Sequence, residues 1–332
     1  MKVLYYDTFS GISGDMHLGA MIDLGVDSNY LIEELKKLGL SHEYEIKIKK
    51  DARKGITGTK VDVILLNQPQ DHEHHNHGNQ DASHEEHNHK KVAHLHQHHS
   101  NEHIHEENKD SHKDEHNHCH REHNHHNEHS HEGEAHTHDH SHNHSHEGDH
   151  SHHHEHRNLY VIEELINKSE LKENVKRLSI DIFKQVAEAE AKVHGKPIYE
   201  VHFHEVGATD SIVDIVGGAI CLDYLNVDRV LASPIEVGGG FVKCAHGLMP
   251  VPAPATSEIL KGVPVTKGAV PFETTTPTGA AILKVVVDKF VKDIDFIIDK
   301  VAYGVGNRDT EIPNVLRVYL GHYEETSSSS DF

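Results

Sequence analysis

Apolar and polar residues follow patterns in the first 66 positions that predict a strand, two helices and a hairpin. Residues 2–6 are a short apolar run, which predicts a buried first strand. Apolar residues recur at helical spacing in 16–26 and 29–39, and each segment ends near a glycine, as helices commonly do. Residues 43–50 and 55–66 alternate, which predicts a hairpin of two half-buried strands.

The pattern resumes after residue 157 with helices and strands in alternation. Three expected helices cover 158–170, 171–195 and 257–262, and two more follow polar turns, in the apolar stretch of 200–227 and at the end of 271–290. The expected strands cover 228–238, 263–266, 295–306 and 314–321. Residues 238–256 are predicted to form a loop. Some neighbouring strands are typical of hairpins, so the fold class expected is α+β or mixed α/β rather than a strictly parallel sheet.

Between these halves, residues 71–156 hold 33 of the chain's 40 histidines and only seven apolar residues. Burial cannot offset the entropy of ordering such a segment, so we expect a disordered insert. Neutral imidazoles bind nickel, copper, zinc and cobalt, which makes the segment a high-capacity metal collector. The alternative is a solvated linker whose metal binding is incidental. The expected organisation is a body at 1–70 and 157–322, this insert, and a flexible tail at 323–332.

Charge and cysteine content narrow the classes of function. The insert contributes −14 of the formal net charge of −22, and the remaining −8 argues against a basic face for nucleic acid. Three scattered cysteines form no C-x-x-C motif, so neither a zinc ribbon nor a disulfide scaffold is indicated. No signal peptide or membrane-spanning run is evident, and the expectation is a cytoplasmic protein that binds neither nucleic acid nor membrane.

The segment after the first strand is the first candidate for chemistry. Gly11 and Gly14 allow a tight turn into a helix whose free N–H groups suit an anion such as phosphate. Asp7 and Asp15 are carboxylates that could face one point and act as bases or hold a metal. The alternative is a plain turn with Asp15 as the helix N-cap.

A second candidate is a possible metal site at residues 202–214. Its ligand set is two imidazoles and three carboxylates within 13 residues, a composition that suits nickel, zinc or manganese. Asp214 lies inside an apolar run, where an unpaired charge is costly, so we expect it to have a partner. The alternative is that Asp210 caps its helix and one histidine is a core residue. The five candidate ligands are His202, His204, Glu205, Asp210 and Asp214.

Two further turns offer anion-binding or catalytic groups. His246, in a glycine- and proline-rich loop, is a candidate base or substrate contact. Arg308 is a candidate phosphate ligand or a plain turn charge. Four hydroxyls before a helix could form a second phosphate cradle, although ordinary capping explains at least one. They belong to Thr274, Thr275, Thr276 and Thr278.

Four segments in this order resemble the LarC family, the nickel-insertion proteins of lactate racemase maturation. They read DTFSGISGDMHLGAMIDLG, HFHEVGATDSIVDIVG, AHGLMPVPAPAT and ETTTPTGAA. The resemblance covers nearly all of residues 1–322 outside the insert. It implies insertion of Ni(II) into pyridinium bisthiocarboxylate mononucleotide, using CTP with Mn or Mg, to form the nickel-pincer nucleotide cofactor that apo lactate racemase receives.

The family's full-length members continue into a C-terminal domain for CTP binding, which we do not find in this sequence. We therefore expect either a first half whose partner domain is separate or joined by ribosomal frameshifting, or the product of a truncated gene model. Two alternatives to an insertase stay open: a non-catalytic nickel store or metallochaperone, which needs only the insert, and a zinc-dependent hydrolase, suggested by the His and Asp set alone.

Overall fold

The computed structural model describes residues 1–66, 157–201, 203, 207–244 and 247–324. Residues on both sides of the histidine-rich segment belong to one compact unit. The mixed α/β class expected from the sequence is confirmed, because helices pack against a sheet of mixed strand direction. In the described part of the chain, no helix combines the length and apolarity needed to cross a membrane.

Turn and cap residues set the elements of the first half. Gly25 ends the first helix in the left-handed conformation, with φ of 118°. The Asp27 side chain accepts a hydrogen bond from the Asn29 N–H and caps the second helix. Lys54 and Gly55, both with positive φ, form the hairpin turn. The elements are β1 (Lys2–Asp7), α1 (Gly14–Leu24), α2 (Ser28–Lys36), β2 (Tyr44–Arg53) and β3 (Ile56–Leu65).

The second half begins with two helices and ends with two strands. It comprises α3 (Leu159–Lys168), α4 (Glu173–His194), a 3₁₀ turn (Ile198–Glu200), α5 (Thr209–Leu225), β4 (Arg229–Ala232), β5 (Ile235–Glu236), β6 (Phe241–Cys244), β7 (Gly247–Pro250), α6 (Pro254–Ile259), β8 (Val265–Thr266), α7 (Pro277–Val286), β9 (Lys289–Phe290), β10 (Ile297–Val305) and β11 (Val315–His322). The expected loop at 238–256 contains the β6–β7 hairpin and the start of α6, and the expected helix in 271–290 gives way to β9.

Seven strands form the main sheet in the order β2-β3-β10-β11-β1-β4-β9. Strand β1 lies near the centre, antiparallel to β11 and parallel to β4. Strands β2 and β3 form the expected hairpin, and β3 contacts β10 in parallel. The chain thus brings strands from before and after the histidine-rich segment into one sheet.

Alternate residues of β1 point to opposite faces of this sheet. Leu4 and Tyr6 belong to the large core shared with the helices, whereas Val3 and Tyr5 belong to a small second cluster with Leu231 and Phe296. Helix α1 packs against β10, β3 and β11, and it also contacts α5. We call the side with the large core the helical face and the side with the small cluster the open face.

Candidate functional site

A cleft of about 530 Å³ opens where α1, α5 and α7 begin, beside the end of β3. This volume lies within the range typical of small-molecule sites. Five carboxylates line it, and neither lysine nor arginine is among the described lining residues. The lining comprises Ser13, Gly14, Asp15, Val61, Asp62, Val63, Ile64, Asp210, Ser211, Asp214, Glu273, Thr276, Pro277, Thr278 and Asn307.

Backbone contacts between two turns hold the starts of α1 and α7 together. The Ile12 N–H donates to the Thr274 carbonyl (3.0 Å), and the Thr276 N–H donates to the Ile12 carbonyl (3.1 Å). Gly11 has φ of 76° and approaches Thr274 so closely that a Cβ at Gly11 would lie 2.1 Å from its carbonyl oxygen. Only glycine fits at this position, so the sequence determines how closely the two helix starts approach.

Helix α5 brings two acids from its first two turns to the same point. Asp210 and Asp214, four residues apart, both line the cleft, as expected for one helix face. A Cβ at Gly14 would lie only 2.2 Å from Asp214 Oδ2, so the missing side chain makes room for this carboxylate at the start of α1. On the neighbouring side, Arg157 donates to Thr209 Oγ1 (3.0 Å) and anchors the start of α5.

Asp214 is the most unusual acid of the cleft. Its Oδ1 atom is buried and has no hydrogen-bond partner among the described residues. Burial raises the pKa of Asp214 well above its usual value, and repulsion from Asp15 and Asp210 raises it further. The sequence-based expectation of a partner for Asp214 is therefore not met by the described part of the chain. An unpaired buried carboxylate is costly, which marks it as a ligand-binding candidate.

Asp15 and Asp210 share this environment but have partners. Burial raises the pKa of Asp15, although the Ser13 hydroxyl, Lys60 and a backbone N–H counteract it. Burial also raises the pKa of Asp210, whose Oδ1 accepts from the Ser211 N–H (2.8 Å). Neither residue is an N-cap, since those positions are Ser13 and Ala208. The three carboxylates thus interact electrostatically and favour a shared cation or proton.

The described residues alone do not form a complete metal site, because no group of three His, Cys, Asp or Glu among them is arranged to hold a metal ion. His202, His204, Glu205 and His246 lie outside the described residues, so their roles stay predictions. Of the predicted ligands, Asp210 and Asp214 are brought together with Asp15 at the cleft.

Asp7 is not brought to this cleft. It shares the open face with Val3 and Tyr5, whereas α1 packs on the helical face, so Asp7 and Asp15 cannot face one point. Arg317 donates to the Asp7 carboxylate through Nε (2.8 Å) and Nη2. The expectation that Asp7 joins Asp15 is therefore corrected by the alternation of β1.

The predicted phosphate cradle divides into two parts. The hydroxyls of Thr274 and Thr275 donate to the Glu236 carbonyl (2.9 and 2.6 Å), so both are structural. Thr276 caps α7 by accepting from the Gly279 N–H (3.2 Å), as ordinary capping predicts. Thr276 and Thr278 line the cleft with Gly14, whereas Gly11, Thr274 and Thr275 do not.

Five polar residues of the cleft are not among the residues predicted from the sequence, namely Ser13, Asp62, Ser211, Glu273 and Asn307. Asp62 lies on alternating β3, where an acid indicates only a solvated face. Glu273 is next in sequence to the threonines, and the predicted phosphate cradle was assigned to their hydroxyls alone. Asn307 donates to Asp15 Oδ2 (3.3 Å) from a distant turn. Only tertiary contacts reveal Asp62 and Asn307, whereas the other three are next in sequence to predicted site residues.

Fold and site together define a mixed α/β protein with an acidic cleft of about 530 Å³. A family model described as "Nickel insertion protein" matches residues 4–331, and the chain belongs to that family. The resemblance noted from the sequence is therefore confirmed.

Curated relatives agree with this assignment. The chain is 57% identical over 98% of its length to a pyridinium-3,5-bisthiocarboxylic acid mononucleotide nickel insertion protein of Clostridium acetobutylicum. It is 40% identical over 99% of its length to a protein of the same name from Geobacillus kaustophilus. It spans 65% and 62% of these relatives' own lengths, less than two thirds of each. No solved structure matches the chain.

Proposed function

We propose that this chain inserts Ni(II) into pyridinium-3,5-bisthiocarboxylic acid mononucleotide. The observation that supports this most is the buried Asp214 carboxylate, whose Oδ1 has no hydrogen-bond partner among the described residues and which lies near Asp15 and Asp210 in the cleft. The relatives' names supply the nucleotide substrate. Nickel is the second substrate of the proposed reaction.

Insertion forms one carbon–nickel and two sulfur–nickel bonds and releases the proton of the ring carbon. A base must accept that proton, and a carboxylate whose pKa is raised by burial, as that of Asp15 is, suits this role. In our proposal Asp210 and Asp214 hold the nickel ion and Asp15 accepts the proton. His202, His204 and Glu205 complete the nickel ligands, and His246 is the alternative base.

Further parts of the proposal rest on the family resemblance. The reaction uses CTP with Mn or Mg, takes place in the cytoplasm, and passes the finished cofactor to apo lactate racemase. The same resemblance assigns CTP binding to the family's C-terminal domain. Within this chain, the histidine-rich residues 71–156 collect nickel for the cleft.

An insertion assay tests the proposal. The purified chain is mixed with Ni(II), the bisthiocarboxylate mononucleotide, CTP and Mn(II), with and without the C-terminal portion of a longer relative. Nickel–sulfur charge-transfer absorbance and the mass of the nucleotide are followed. We expect a nickel-containing nucleotide lacking one proton. Folded protein that forms none in either mixture would refute the proposal.

A nickel store or metallochaperone is the second candidate, favoured by the 33 histidines of residues 71–156. Deleting that segment separates the two functions. An insertase lacking it still inserts nickel when the metal is saturating, because the cleft is intact. A store lacking it loses its nickel capacity and has no other activity to retain.

A further inference from the structure

Arg308 lies in the turn after β10, directly beside the acidic cleft. Its Nη1 donates to the Glu273 carbonyl (3.1 Å), and its guanidinium lies 4.9 Å from the centre of the Phe272 ring. Glu273 lines the cleft, and so does Asn307, the residue before Arg308. An exposed arginine is thereby held in a defined place next to two residues that line the cleft.

The charges around Arg308 leave its guanidinium available to a ligand. Asp309, the next residue, pairs with Lys54 (3.2 Å). Lys60, the nearest cation to the cleft floor, is almost fully buried and pairs with Asp62 (2.6 Å). Across the described ranges, no carboxylate forms an ion pair with Arg308. Most of the hydrogen-bonding capacity of its guanidinium is therefore not used by neighbouring acids.

An acidic floor poses a problem for an anionic substrate. Five carboxylates attract a metal cation but repel a phosphate monoester, so the two must occupy different parts of the cleft. Arginine binds phosphate through two parallel hydrogen bonds. The start of α7, with Thr278 in its first turn, lines the cleft and adds its positive end.

We propose that Arg308 binds the phosphate monoester of the mononucleotide and orients the pyridinium ring toward Asp15, Asp210 and Asp214. The proposal rests on the proposed function, because the mononucleotide is its ligand. Phe272 and the Glu273 carbonyl fix the guanidinium plane, and the ring with its two thiocarboxylates extends inward to the nickel. Arg308 thereby distinguishes the nucleotide from its phosphate-free nucleoside.

Calorimetric titration of the full chain with the mononucleotide and with the corresponding nucleoside tests this assignment. We expect wild type to bind the nucleotide about 10- to 100-fold more tightly than the nucleoside, and Arg308→Ala to remove that difference. Arg308→Lys keeps the charge but cannot donate two parallel hydrogen bonds, so it should retain only part of the preference for the nucleotide. Arg177→Ala, an exposed arginine on α4, is the matched control and leaves both affinities unchanged.

The outcomes separate this proposal from the function itself. If Arg308→Ala keeps the full preference for the nucleotide, or weakens both ligands equally, Arg308 does not bind the phosphate. Insertion of nickel by wild type in the same preparation would then leave the proposed function standing. If wild type neither binds the nucleotide nor inserts nickel, the proposed function and this inference fail together. Thermal melting confirms that each variant is folded.

Discussion

Carboxylates on the two faces of the sheet differ in whether they have hydrogen-bond and ion-pair partners. On the open face, Asp7 is paired with Arg317, whose guanidinium also lies over the rings of Phe9 (5.2 Å) and Tyr319 (5.4 Å). On the helical face, Asp214 has a buried oxygen without a partner in the described chain and faces two further acids. Both residues follow apolar neighbours in the sequence, yet only their surroundings tell them apart.

This difference indicates that Asp7 contributes to stability, whereas Asp214 is the candidate for function. A paired carboxylate lowers the free energy of the folded state only modestly, and its loss exposes the partner charge. An unpaired, buried carboxylate destabilises the fold, so its presence is explained by a ligand that compensates the charge. We therefore expect substitutions at Asp7 and Asp214 to have opposite signatures.

The largest expected effect is a slower rate of nickel insertion in the Asp214→Asn variant. The amide keeps the shape but removes the negative charge that, in our proposal, holds nickel, so we expect the single-turnover rate to fall about 100-fold or more. Asp7→Asn, on the other face, should retain the wild-type rate within about threefold. Rates are measured at saturating nickel. Equal rates for Asp214→Asn and wild type would remove Asp214 from the site.

Gly14→Ala tests the close approach of α1 to Asp214. The new Cβ would lie 2.2 Å from Asp214 Oδ2, so the carboxylate or the helix must move. We expect insertion to slow at least about tenfold and the free energy of unfolding to fall by about 1–3 kcal/mol. Gly239→Ala is the matched control, since its nearest neighbour would be 3.4 Å away. Similar losses in both variants would argue against a special role for Gly14.

For the free energy of unfolding, measured with denaturant, we expect the order of the two substitutions to be the reverse of their order in the insertion assay. Asp7→Asn leaves Arg317 without its ion pair and should cost about 1–2 kcal/mol, a value reduced by the partial exposure of Arg317. Asp214→Asn removes a buried ionisable group whose Oδ1 has no hydrogen-bond partner among the described residues, and should leave the free energy of unfolding unchanged or higher. The comparison breaks if Asp214→Asn is the more destabilised variant.

The smallest effect is a pH dependence of that stability difference. The folded pKa of Asp214 is raised, so the folded state keeps a proton that the unfolded state releases above about pH 4. Wild-type stability therefore falls as pH rises from there toward the folded pKa, and Asp214→Asn removes this slope. Unfolding at pH 4 to 8 should show a growing advantage for the variant. A constant difference would contradict the raised pKa.

His17 affects the same pH window with the opposite sign, so the variant must be compared with wild type at each pH. Burial lowers the pKa of His17 to about 4, and Tyr6 contacts its Nε2 at 2.9 Å. Its contribution to stability is complete above about pH 6.5 and is lost as pH falls toward 4. Because both proteins contain His17, its contribution cancels in the difference.

Much of the fold could be predicted from the sequence because its signals are local. The end of α1 at Gly25, the cap at Asp27 and the β2–β3 hairpin each follow from neighbouring residues. The β6–β7 hairpin was missed because its strands are short and Phe241 and Leu248 are exposed, so no buried alternation marks them. Strand β9 has only two residues and was absorbed into the expected helix.

The site was only partly predictable because its contacts are long-range. Asp210 and Asp214 share a helix face, so spacing alone brought them together. Their meeting with Asp15 depends on the packing of α1 against α5, and the place of Asp62 depends on where β3 ends. Asp7 was assigned to the same point because sequence proximity to Asp15 does not reveal which side of the sheet a strand-end residue faces.

The most direct test of the account is where nickel binds. Crystals of the full chain, grown with the mononucleotide and Ni(II), can be measured at the nickel absorption edge. The account predicts an anomalous peak within coordination distance of Asp214 and Asp210, on the helical face. An ordered nucleotide whose nickel lies away from these carboxylates would contradict it.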